Sequence, residues 1–155
     1  MKIFAAVLAI AALCPAALAQ STVDHVTQSE LLQKAETLKA DAAAHDGSAS
    51  VKLSEYPNHF TMISLREKDG GAEVHQKYAD IFYVMQGAAT LTTGGTVVDP
   101  KEATAGEIRG SAVQGGTSIS LHQGDFVHIP AGVPHRLVLA GGGPFIYYVI
   151  KVAEK

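Results

Sequence analysis

Cysteine is nearly missing: Cys14 is the only one among 155 residues, so the chain has no internal disulfide and its stability must come from an apolar core. Charge of one sign is also scarce. Fifteen acidic residues face twelve Lys and Arg, for a net charge of -3, and no basic run occurs anywhere. The electrostatic footprint of phosphate-backbone binding is therefore absent, which excludes nucleic acid as the expected partner. A basic amphipathic helix for a membrane surface is lacking too. The one extended apolar run, Ile3 to Leu13, is too short for a comfortable membrane span. No phosphate loop, dinucleotide fingerprint or dedicated nucleophile motif is present, which argues against nucleotide-dependent enzymes and hydrolase triads.

That apolar run has a different reading. Lys2 precedes it, Pro15 breaks it, and Ala17-Leu18-Ala19 follows, the order of an n-region, an h-region and an A-x-A cleavage site. We expect residues 1–19 to be a signal peptide, Gln20 to become the new N-terminus, and the protein to be exported to the periplasm or secreted. Cleavage would remove Cys14 and with it all thiolate chemistry. Lipid attachment at Cys14 is the lesser alternative, because Leu13 stands where a small residue is wanted. No membrane contact is expected after cleavage.

Residues 20–48 are expected to form a segment with one amphipathic helix. Thr27-Gln28-Ser29-Glu30 has the form of a capping box, Val26 can staple against Leu31, and Leu31, Leu32, Ala35, Leu38 and Ala42 recur at helical spacing before Gly47. This stripe predicts packing on the outside of the following domain or on a second subunit. His45 near the C-terminus is expected to meet the helix dipole.

From residue 49 to 155 the pattern becomes short strands punctuated by Gly, Pro and Asn, an all-β signature. The clearest strands are His59 to Arg66, Ala72 to Lys77, Ile81 to Gln86, Ala88 to Thr93, Ser118 to Leu121, Asp125 to Ile129, His135 to Leu139 and Phe145 to Val152. Thr93-Gly94-Gly95-Thr96 predicts a hairpin turn. Val98 to Gly110 reads as a loop because of its Gly, Pro and mixed charges. Glu107 and Arg109 within it are candidates for gating or for pairing with a charged substrate, against the plainer reading of a solvated loop. No internal repeat suggests a second copy of the domain.

The most informative stretch is Gly124 to His135, which reads G-x5-P-x-G-x2-H. Gly124-Asp125 turns the chain, Pro130 removes a ladder donor where a strand must stop, and Gly132 supplies a permissive bend. His135 then shares a strand face with Leu137 and Leu139, so it points into a core or barrel. This segment resembles the second signature motif of the cupins, in which the matching histidine is a metal ligand. Glu73 to Gly87 is similar to the first motif: Asp80 and Gly87 stand as the family's glutamate and glycine, with an apolar strand between them. The H-x-H pair, however, lacks one histidine. The resemblance implies a double-stranded β-helix (jelly-roll) barrel with a divalent metal inside and a dimer of two such barrels.

Two registers fit the upstream motif. In one, the H-x-H slots fall on Glu73 and His75, with Asp80 as the acid. In the other, His75 is the first histidine and Lys77 takes the second slot, with Asp80 following too soon. An ammonium has no lone pair, whereas a carboxylate oxygen ligates, which favours Glu73, His75, Asp80 and His135. Asp80, one methylene shorter than glutamate, is either a ligand or a hydrogen-bond partner of one. Two imidazoles with carboxylates suit Fe, Mn, Zn, Co or Ni. Lys77, Arg66, Tyr83 and His128 are the residues expected to contact a substrate or support the ligands, and Tyr147 to line the cavity. A barrel that keeps His135 as a packed core residue, and Glu73 as a solvated charge, is the plain alternative.

Family likeness does not choose among functions. The first expectation is a metal-binding cupin acting on a small molecule by dioxygenase- or isomerase-type chemistry. The second is a small-molecule-binding cupin without catalysis, whose binding would survive loss of the metal. A storage role through oligomerisation is the third.

Overall fold

The computed structural model describes residues 23–154, so the expected signal peptide lies outside the described residues. Helix α1 spans Gln28–Glu36 and α2 spans Lys39–Ala44. The single helix read from the sequence is thus bent at Thr37-Leu38. Its start is the capping box: Thr27 Oγ1 accepts from Glu30 N–H, and the Glu30 carboxylate accepts from Thr27 N–H at 2.7 Å. At the far end, His45 Nδ1 lies 2.7 Å from the Asp41 carbonyl, so a protonated Nδ1 donates to the helix terminus.

Thirteen strands follow among the described residues: β1 Ser48–Glu55, β2 His59–Arg66, β3 Ala72–His75, β4 Tyr78–Gln86, β5 Ala88–Thr93, β6 Thr96–Val98, β7 Lys101–Thr104, β8 Glu107–Gly110, β9 Ala112–Gln114, β10 Thr117–His122, β11 Phe126–Ile129, β12 His135–Ala140 and β13 Phe145–Ala153. They form a five-stranded sheet in the order β1-β2-β13-β4-β11, a six-stranded sheet in the order β10-β5-β12-β3-β8-β7, and the small ribbon β6-β9. Every pairing is antiparallel.

Alternation along the central strands sorts residues between two cores. Inside, Phe82 and Val84 of β4 meet Phe145 and Val149 of β13, Leu91 of β5 and Leu137 of β12. On the outer face of the five-stranded sheet, Ile63 and Leu65 of β2, Met85 of β4 and Ile146 of β13 receive Leu31, Ala35, Leu38 and Ala42 from the helices. The helical stripe therefore covers the barrel's own outer face. Each fully buried aliphatic side chain contributes on the order of 1.5–3 kcal/mol.

Two local expectations need correction. Val98 to Gly110 is not a loop: it contains β7 and β8, and β8 pairs with β3. These strands are short, and β7 is exposed throughout, so no apolar alternation announces them. The Gly94-Gly95 turn exists, both residues having φ near +70 to +80° (78° and 69°), but β5 and β6 do not pair across it. β5 joins β10 and β12, whereas β6 leaves to pair with β9.

Gly87, between β4 and β5, shows why that position is glycine. Its φ is +86°, and an added Cβ would lie 2.4 Å from the Pro144 carbonyl oxygen.

Candidate metal centre

Register brings the expected ligands together. On β3, Glu73 and His75 are two apart and share a face. Glu73 stands opposite His135 of β12 on one side and Arg109 of β8 on the other, while His75 stands opposite Glu107. Asp80 enters from the other sheet, opposite Lys151 of β13. The turn before His135 is tied to the first motif by the Gly132 N–H, which donates to the His75 carbonyl at 2.8 Å. Gly132 has φ +76°, and Pro130 ends β11 without an amide hydrogen, so the chain reverses and delivers His135 beside Glu73.

Glu73, His75 and His135 each offer a ligand atom within 4.8 Å of the others. His75 Nε2 lies 3.5 Å from Glu73 Oε2 and 3.4 Å from Asp80 Oδ2, and His135 Nε2 lies 3.9 Å from the same Asp80 oxygen. Donor atoms held about 2.1 Å from one ion are separated by roughly 3.0–3.5 Å, so the set needs only a small contraction to surround a cation. The ring tautomers agree. His135 Nδ1 donates to the Val133 carbonyl at 3.0 Å, and His75 Nδ1 lies 2.5 Å from Glu107 Oε2, the carboxylate–imidazole arrangement that frees Nε2 for an ion. His75 Nε2 is buried and makes no hydrogen bond. A buried polar atom left this way is costly, and a cation is the partner its lone pair and the surrounding carboxylates suit. The residues fit a divalent metal.

Charge shapes each group. Burial pushes the Glu73 carboxyl up, but contact with His75 and the nearby charges of Arg109, His135 and Arg66 outweigh it and hold the group well below the ordinary carboxylate range. For His75, burial and Lys151 press the imidazole pKa down, while Glu73, Asp80 and Glu107 together raise it above its usual value. Burial dominates at His135 and lowers its pKa, against the pull of the Val133 carbonyl, Glu73 and Asp80.

Sequence reasoning missed Lys151. Its Nζ lies 2.5 Å from Asp80 Oδ1, with the two side chains 13% and 9% exposed. The contact is an ion pair angled outside hydrogen-bond geometry, for Oδ1 makes no hydrogen bond. Asp80 thus meets a lysine with one oxygen and faces the histidines with the other. The available signal was parity: Tyr147, Val149 and Lys151 share the inward face of β13 and line one cavity.

Three residues expected near the site are elsewhere. Lys77 is exposed in the turn between β3 and β4, its side chain lying by Gly106, so Lys151 and not Lys77 pairs with Asp80. Tyr83 is 41% exposed, because Phe82 and Val84 take the inward positions of β4. His128 is exposed on β11, where Val127 and Ile129 are the buried residues. Arg66 is in place: 7% exposed, it donates from Nη2 to Glu73 Oε1 at 3.3 Å. Glu107 and Arg109 also face the site, joined at 3.1 Å.

Above these groups opens a cavity of about 650 Å³ lined by Arg66, Glu73, His75, Asp80, Tyr147 and Lys151, among others. This lies within the usual range of small-molecule sites. His135 lies in a smaller recess that shares Glu73, Asp80 and Tyr147 with the cavity.

No family model and no curated protein sequence matches the chain. Solved structures do. A cupin domain of Cnp3 from Schizosaccharomyces pombe superposes with TM-score 0.53 at 11% identity, over 69% of this chain and 61% of that one, so the chain spans under two thirds of that relative. A protein with a double-stranded β-helix domain from Klebsiella pneumoniae gives 0.51 at 17% identity over 68% and 72%. A cupin superfamily protein from Desulfitobacterium hafniense gives 0.50 at 15% identity over 71% and 81%. Two facing antiparallel sheets and these superpositions agree, and the chain has the cupin fold, a double-stranded β-helix.

Proposed function

We propose that this protein binds one divalent metal through Glu73, His75, His135 and Asp80 Oδ2 and uses the cavity above it to act on a small molecule. The observation that carries the reading is the buried, hydrogen-bond-free Nε2 of His75 facing two carboxylate oxygens. Two imidazoles and carboxylates suit Fe, Mn, Zn, Co or Ni. A bound ion would supply Lewis-acid or oxygen-activating chemistry, of the kind used in isomerisation or dioxygenation. The protein's own residues would fix the geometry. Glu107 orients His75, the Val133 carbonyl orients His135, and the buried walls limit water around a bound molecule.

Elemental mass spectrometry on protein purified without chelator tests this directly. Near-stoichiometric metal, lost in both His75→Ala and His135→Ala, is the expected result. No uptake after reconstitution with any of the five metals would sink the reading.

One observation favours a second reading, a binding barrel without catalysis: Lys151 neutralises Asp80 from within the cavity. Ligand binding that survives chelation would support it. We further propose export, supported by the Lys2, Ile3 to Leu13 and Ala17-Leu18-Ala19 pattern. An intact mass starting at Gln20, on protein recovered from producing cells, is the expected measurement, and a retained leader would refute it. Assembly as a homodimer is proposed on the fold resemblance and is read from solution mass.

A further inference from the structure

The cavity contains a buried cation whose hydrogen bonding is incomplete. Arg66, at 7% exposure, uses Nη2 on Glu73, but its Nε is buried and makes no hydrogen bond. The Tyr147 phenol and the Asp46 carboxylate lie close enough to influence its charge, yet neither accepts from Nε. A guanidinium offers five donors in a rigid fork, and its Nε and Nη2 edge matches a carboxylate. Here half of that edge is unused, and Arg66 lines a cavity large enough for a small organic molecule.

Charge balance points the same way. The carboxylates lining the cavity are Asp46, Glu73, Asp80 and Glu107, and its cations are Arg66, Arg109 and Lys151. The acids exceed the bases by one, so a divalent ion would convert that deficit into an excess of one positive charge. A singly charged anion restores neutrality in a site where unbalanced charge is costly. Phe60, Met62 and Val149 on the wall suit a hydrocarbon portion.

We propose that the ligand is a small monocarboxylic acid, its carboxylate accepting from Arg66 Nε–H and its remaining atoms lying over the Glu73–His75–His135 cluster. The inference rests on the metal-site reading for its charge balance and adds the class of substrate. Glu73 bridges the two halves, one oxygen toward Arg66 and the other toward His75, so anion site and metal site are neighbours.

The test uses the full chain incubated with Mn(II), its metal content measured, and matched acid and amide pairs titrated by calorimetry: propionate with propionamide, lactate with lactamide, benzoate with benzamide. At least one acid is expected to bind about tenfold or more tightly than its amide, as a charge-assisted hydrogen bond requires. Arg66→Gln, checked for fold by circular dichroism and for Mn(II) content, should bring the ratio close to one, and Arg66→Lys should keep part of it. Wild-type protein that takes up Mn(II) but binds no acid better than its amide overturns the subsite alone, as does a preference unchanged in a folded Arg66→Gln. No Mn(II) uptake with a surviving, Arg66-dependent preference overturns the metal reading and leaves the subsite standing.

Discussion

Glu107 is the residue whose removal best separates geometry from ligation. Its carboxylate meets His75 at Nδ1, the ring nitrogen opposite the Nε2 that faces Glu73 and Asp80. Glu107→Gln keeps the size and loses the charge, and we expect metal affinity to fall on the order of 10–100-fold with the fold intact, as read by competition with a chelator. Lys151 should act with opposite signs on two properties. Lys151→Met removes a cation from a partly formed cation site, so metal affinity should rise by roughly tenfold. Without metal the same change leaves Asp80 buried and unpaired, at a cost of up to ~3–5 kcal/mol; metal-free thermal denaturation should fall accordingly. That Glu73, His75, Asp80 and His135 come close together was legible because the motif offsets are rigid: proline, glycine and strand parity leave the backbone little choice. Lys151 was not, since a lysine near the end of an apolar strand reads as solvated until the strand's inward parity is known. Lys77 misled because spacing alone cannot show that Gln76 and Lys77 make a turn.

Among the elements, the first helix shows how local chemistry and tertiary burial divide the work. An isolated α1 of nine residues is too short to persist in water, so the capping box and the Leu31 to Ala42 stripe must act together. Thr27→Ala should lower global stability by about 1 kcal/mol, measurable by urea denaturation, while metal content stays unchanged because the helix sits on the opposite face of the sheet from the cavity. Eight strands were readable from apolar alternation, several to within a residue. β1, β6, β7, β8 and β9 were not; alternation is written by burial, and β7 and β8 close one end of their sheet with β7 at its edge. That end nevertheless supplies Glu107 and Arg109. Strands that bury little are hard to read even when they carry the charges that matter.

At the scale of the whole molecule, a metal would join the two sheets, with Glu73, His75 and His135 from the six-stranded one and Asp80 from the five-stranded one. An ion bound only by the folded state stabilises it, by about 2.7 kcal/mol at 100 times its dissociation constant. Chelation should therefore shift the denaturation midpoint by a comparable amount, and an unchanged midpoint would mean that the sheets are not linked through an ion. The fold as a whole was the most legible level, since one full motif and one partial motif in the right order admit few architectures. What the sequence left open was the content of the cavity, which depends on which charges the closed barrel turns inward.

The position of β13 has one more consequence. This last of the described strands is not at an edge: it lies between β2 and β4, paired with both along nearly its whole length. The five-stranded sheet stays split until the chain has been made through Ala153. Its pairings join distant parts of the chain, the kind of topology that folds in milliseconds to seconds rather than microseconds. Until that strand docks, Asp80 lacks its lysine and the inner core lacks Phe145 and Val149. Late docking of the C-terminal strand would make closure of the barrel and completion of its charged interior a single event in time.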